Sequence, residues 1–176
     1  MTNIKLIFPE SGMEQAAMEF KQEFFDAGET SISGSYKLDM NRYTYAEWLQ
    51  ILSDNLSEET VSPKFGVSET YFAINEEDVI VGIINFRHTL TDFYKNSGHI
   101  GYSVRPSLRQ KGYATAMLTA VLHKADEAGV NEVKLVCKKS NTASAKVILN
   151  NGGKLLRSFG EGDELREEYV IFCDRR

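Results

Sequence analysis

The sequence predicts a mixed α/β domain of the α+β kind, with helices covering a central sheet. Three observations carry that expectation. Apolar residues recur at helical spacing over residues 13–25, 43–56 and 114–125. Short apolar runs separate these stretches, and one of them, VIVGIINFRH at 79–88, is too apolar to keep a face in water. Finally, residues 99–138 read as strand, helix and strand in succession, a βαβ unit of ordinary length.

Composition bounds the rest. The chain has 176 residues, 42% hydrophobic and 26% charged, enough for one domain over 1–176 with a core needing no metal or disulfide. A net charge of −5 gives nucleic-acid binding little support. No apolar run reaches the roughly 18 residues of a membrane span, and no signal-peptide core opens the chain. Cys137 and Cys173 lie far apart and make no metal-binding spacing. A cytoplasmic protein with reduced thiols is the expectation.

Taken in order, Ile4 to Phe8 alternates as a short strand stopped by Pro9. Met13 to Phe25 follows as a helix, with Ser11 as N-cap and Glu14 as its capping-box partner. Residues 27–39 carry glycines and serines and read as loop. Tyr43 to Leu56 is the second helix, and 57–68, with Pro63 and Gly66, a second loop. Tyr71 to Asn75 and Val79 to His88 form a hairpin whose second strand is central in the sheet. Arg87 and His88 at its end either line a pocket or cap the strand in water. His99 to Val104 is a strand, and a long helix opened by Gly112 ends at the C′ glycine Gly129. Strands at 132–138, 154–159 and 168–173 and a helix at 142–150 complete the chain. Cys137, on a buried strand, reads as a small core residue.

The chemistry concentrates in GHIGYSVRPSLRQKGYAT, residues 98–115. A strand that runs through a glycine turn into a helix presents unpaired N–H groups and the positive end of a dipole, which suits an anion. Dinucleotide and P-loop fingerprints, HExxH, paired CxxC and the GxSxG elbow are all absent. What stands there is Arg109-x-x-Gly112-x-Ala114, with Arg105 and Lys111 adding positive charge in an acidic protein.

YSVRPSLRQKGYATAML resembles motif A of the GCN5-related N-acetyltransferases (GNAT), in which Gln/Arg-x-x-Gly-x-Gly/Ala follows a strand ending in Val. NTASAKVILNNGG is similar to the following motif B, with Asn141 leading and Gly152 near its close. Together the two motifs span about residues 98–153, and a bacterial subgroup shares the GHIGYSVRPS string. The resemblance implies a mostly antiparallel central sheet with two splayed strands, flanked by helices. It also implies acetyl-CoA as cosubstrate, with no metal, and transfer of acetyl to a primary amine by direct attack on the thioester. The acceptor is then a small-molecule or peptide amine, with neither nucleic acid nor membrane as partner; pairing into a homodimer stays open.

Carried over by position, Tyr102, Ser103 and Val104 would pair by backbone with the pantetheine arm. Gln110, Lys111, Gly112, Tyr113, Ala114 and Thr115 would hold the pyrophosphate, and Asn141 would bond the pantetheine. Asn141 is equally an N-cap on the residues alone. In many family members a tyrosine seven residues after the motif B asparagine is the general acid; here that position is Ile148. Family members with a glutamate base on the motif A strand place it at Gly98, and the neighbouring His99 is the candidate base, an imidazole able to take a proton near neutral pH. Its other reading is a structural histidine at a strand start. The departure at Ile148 keeps alive a coenzyme A-binding sensor or interaction module that has lost catalysis.

Overall fold

The computed structural model describes residues 2–173. Its strands are β1 (Lys5–Ile7), β2 (Ser68–Ile74), β3 (Ile80–Arg87), β4 (Ile100–Val104), β5 (Glu132–Lys138), β6 (Lys154–Phe159) and β7 (Arg166–Phe172). Its helices are α1 (Glu14–Asp26), α2 (Tyr45–Asp54), α3 (Tyr113–Glu127) and α4 (Thr142–Asn150). The strands form two antiparallel sheets, β1-β2-β3-β4 and β5-β7-β6. Among the described residues the sheets share one backbone bridge, between Gly98 and Leu135. Beyond it β4 and β5 diverge, and each keeps an unladdered edge.

β3 is central, and seven of its eight residues are buried. Helices cover it on both sides. On one face α1 and α2 pack Phe20, Phe24, Trp48 and Leu52 against Phe72 and Ile83. On the other, α3 and α4 pack Met117, Leu118, Val121 and Ile148 against Ile84, Phe86, Val104 and Leu135. Each helix is amphipathic because it faces only one of these cores.

β5, α4 and β6 coincide with the residues read from sequence. Gly129 follows α3 at φ 77°, with the Val130 N–H reaching Ala125 O at 2.8 Å, as a C′ glycine does. Of the boundaries that differ, three have a visible cause. A 3-10 turn at 11–13 leads into α1, whose N-cap is Met13 without a side-chain bond, so the Ser11–Glu14 box does not form. The box is at α2, where Thr44 and Glu47 cap each other. β2 begins at Ser68, because its ladder to β3 runs on to Arg87. β7 begins at Arg166, opposite Lys138 and Phe159. No helix among the described residues is long and apolar enough to cross a membrane.

Candidate active site

Alternate residues of an antiparallel strand turn their backbone groups to opposite neighbours. The Arg105 N–H bonds Val81 O on β3 at 2.8 Å, so Val104 and Tyr102 turn theirs toward the open edge facing β5. Ser103 turns its backbone toward β3 and donates its hydroxyl to Ser33 O at 2.8 Å. That bond ties β4 to the connection between α1 and α2. Gly34 of this connection lies so close that a Cβ there would sit 2.2 Å from Gly101 O. Only glycine fits, both for space and for its φ of 79°.

β4 leads through a 3-10 turn at 106–108 into α3. Gln110 (φ 62°) and Gly112 (φ 84°) both adopt left-handed backbone, which winds the turn tightly against the helix. Gly112 is the N-cap and supplies no side-chain bond. The first intrahelical bond runs from Ala116 N–H to Gly112 O at 3.1 Å, so the N–H groups from Gly112 to Thr115 precede the ladder. Those groups and the helix dipole suit a phosphate. Thr2 borders the turn, its hydroxyl donating to Lys111 O at 3.0 Å. Arg105 pairs with Glu23 at 2.6 Å, and Arg109 pairs with Glu29 at 2.7 Å while its Nε donates to Val104 O at 3.2 Å. They brace the turn against α1 and the loop after it.

Asn141 accepts the Ser144 N–H on its side-chain oxygen at 3.1 Å and so caps α4. Ser144 meets Tyr102 across the divergence, hydroxyl to hydroxyl at 2.9 Å, near the Cys137 thiol. Burial pushes both the Tyr102 phenol and the Cys137 thiol up, so each holds its proton at neutral pH. Ile148 is fully buried in the core, with no proton to give.

His99 sits at the joint between the sheets, only 8% exposed. Its N–H donates to Lys134 O at 2.7 Å, and its ring Nδ1 accepts the Lys134 N–H at 2.9 Å. The proton of the neutral ring therefore rests on Nε2. Burial, then the nearby Lys134 and Arg87 charges, pull its pKa down to about 4. Arg87 does not reach into water as a strand-end cap would: it lies over the Tyr94 ring at 4.1 Å and donates to Gly98 O at 2.9 Å. The fold thus gathers Tyr102, Val104, residues 110–115 and Asn141 around one divergence, with His99 at its closed end. Arg87, read from the sequence as lining a pocket or capping the strand end in water, is largely buried against Tyr94. The sequence alone assigns no role to Ser144 or Tyr94, and the Tyr102 partner of Ser144 lies 42 residues away.

Residues 23–154, three quarters of the chain (132 of 176), match a family model described as an acetyltransferase (GNAT) domain. No curated relative matches the sequence. Among solved structures, the chain is similar to the microcin C7 self-immunity acetyltransferase MccE, solved with acetyl-CoA and AMP. The TM-score is 0.68 at 16% identity, covering 96% of this chain and 92% of that one. It is similar also to RimL, a ribosomal L7/L12 α-N-protein acetyltransferase solved with coenzyme A in a disulfide to one of its cysteines. There the TM-score is 0.67 at 15% identity, over 99% and 97% of the two chains. A GCN5-related N-acetyltransferase from Kribbella flavida matches at TM-score 0.62 and 16% identity, over 96% and 97%. These likenesses establish the fold, and the family match carries the activity. The chain belongs to the GNAT acetyltransferase family and is an acetyl-CoA-dependent acetyltransferase.

Proposed function

We propose that this protein, as one domain, moves the acetyl group of acetyl-CoA to a primary amine. The observation that supports this most is the divergence of β4 from β5, which opens into the uncapped start of α3. An extended amide-bearing arm fits the open β4 edge, where Tyr102, Ser103 and Val104 hold it chiefly by the backbone groups of Tyr102 and Val104. The N–H groups of Gln110, Lys111, Gly112, Tyr113, Ala114 and Thr115 take the pyrophosphate. Asn141 caps α4 with its oxygen and offers its amide N–H₂ to the arm.

Acetyl-CoA supplies an activated acyl carbon; the protein must orient the amine, receive its proton and deliver one to the departing sulfur. With Ile148 at the family's acid position, we assign the delivery to Tyr102, whose hydroxyl sits on Ser144 beside Cys137. His99 we read as a positioning residue. Its Nδ1 is occupied and its pKa lies near 4, so it holds the joint closed while the amine's proton leaves through solvent. We read the protein as cytoplasmic and its acceptor as a small-molecule or peptide amine, and β6, an edge strand with exposed Leu155 and Leu156, is where we would place a second copy.

Calorimetry with acetyl-CoA, paired with thiol release on a panel of amines, tests the reading. A Val at Gly112 would be strained at φ 84° and would press on the Thr2 hydroxyl, 2.8 Å from where its Cβ falls. Gly112→Val should weaken acetyl-CoA at least about tenfold, roughly 1.4 kcal/mol. Unchanged affinity would place the coenzyme elsewhere. Tight binding with no thiol release from any amine would favour the sensor reading.

A further inference from the structure

The sheet face that α1 and α2 cover changes character along its length. Phe72 faces Ile83 across β2 and β3, and both pack into the aromatic core. Further along the same face the cross-strand pairs are Thr70–Asn85 and Ser68–Arg87. Ser68, Thr70 and Asn85 are each 2% exposed or less. Buried polar atoms are almost always hydrogen-bonded. Among the described residues five buried side-chain atoms lack a partner, and four belong here: Asn55 Nδ2, Ser68 Oγ, Asn85 Oδ1 and Arg87 Nε. Asn55 ends α2 at this spot, its carbonyl accepting the Ser68 N–H at 3.0 Å. Such a concentration of unmet donors and acceptors marks a place prepared for a polar guest.

Arg87 gives the guest its charge. Its guanidinium is largely buried and makes no carboxylate pair among the described residues. What surrounds it is neutral: the Tyr94 ring, the Gly98 carbonyl and the phenol of Tyr36. A buried cation without an anion is costly, and a planar fork is matched best by a carboxylate. One uncompensated charge suits one negative charge, which favours a carboxylate over a phosphate dianion.

The location ties this cluster to the acyl site. Gly98, which Arg87 grips, is the residue that bridges to Leu135 at the closed end of the divergence. α3 begins beyond the opposite end of β4. A coenzyme with its pyrophosphate on α3 and its arm along β4 directs its acyl end toward Gly98. We propose that the cluster is the acceptor subsite, and that it takes an amine also bearing a carboxylate, which Arg87 binds with Asn55 and Ser68 as further donors. The inference rests on the acetyltransferase reading and names its substrate class: amino-acid-like or C-terminal-carboxylate amines, not polyamines.

The test compares free L-amino acids and short peptides with their C-terminal carboxamides, by calorimetry on the protein saturated with coenzyme A and by thiol release. At least one acid should bind and react, with its carboxamide weaker by thirtyfold or more. Arg87→Met should erase that ratio while acetyl-CoA affinity stays within twofold; Arg87→Lys, which keeps charge but loses the fork, should retain only part of it. Equal use of acids and carboxamides, a preference for polyamines, or no bound acid at all would overturn the proposal; the last would leave ordered water as the cluster's only guest. The parent's own ratio decides even if Arg87→Met fails to fold. Should the parent bind no acetyl-CoA, the coenzyme reading fails separately, and the acid–carboxamide comparison on the coenzyme-free protein still judges the cluster.

Discussion

At His99 the Lys134 N–H points into the ring nitrogen, and protonation would break that bond. The sign of the pH effect follows from the pKa. Unfolded, the imidazole titrates near 6.5; folded, near 4. Between those values the unfolded chain binds more protons, so stability rises with pH across that window and is lost as pH falls through it. After allowing for solvent screening, the effect is on the order of 2 kcal/mol, a few degrees of Tm at this length. Melting curves from pH 4 to 7 should show the rise, and His99→Asn should flatten it. A parallel curve for the variant would remove His99 from the account. Tyr102 answers a different measurement. Tyr102→Phe should lower kcat by about ten- to a hundredfold with acetyl-CoA affinity within twofold; an unchanged kcat would exclude the phenol as proton donor. The sequence left a structural His99 open beside a catalytic one, and the Tyr102 proton donor was not legible in it. His99 alternates with Gly101 and Ser103 as any strand residue would, and Lys134, Ser144 and Cys137 come from segments thirty to forty residues on, as the 35- and 42-residue separations of their bonds record.

Among the elements, the capping boxes illustrate what a local pattern can and cannot decide. Ser11-Gly-Met-Glu14 and Thr44-Tyr-Ala-Glu47 have the same spacing, yet only the second forms. In the first, the chain turns through a 3-10 bend, closed by the Met13 N–H on Glu10 O, before the helix begins. Thr44→Ala should therefore cost about 1 kcal/mol, read as a loss of Tm, and Ser11→Ala a few tenths at most. Equal losses would contradict the assignment. β5, α4 and β6 were legible to the residue because hydrophobic period and glycine stops agree there. β2 was read three residues short for a physical reason: Ser68, Glu69 and Thr70 are polar, and two of them face the buried polar cluster rather than apolar core. The strand rule fails at the place where the fold sets aside an interior for something other than packing.

For the whole molecule, two antiparallel sheets joined at one bridge make a divergence that no single segment encodes. The motif residues at 98–115 announced the coenzyme half because that half is built from consecutive backbone: a strand edge, a left-handed turn and a helix start. The acceptor half is assembled from α2, β2, β3 and two connections, so its residues share no spacing in the sequence. Acetyl transfer at this divergence requires the coenzyme to lie along β4 and onto α3. Amide hydrogen exchange with and without acetyl-CoA measures this directly. Protection should rise at Tyr102, Val104 and the amides from Gln110 to Thr115, which precede or lie outside the backbone ladders. Protection elsewhere with these amides unchanged would contradict it.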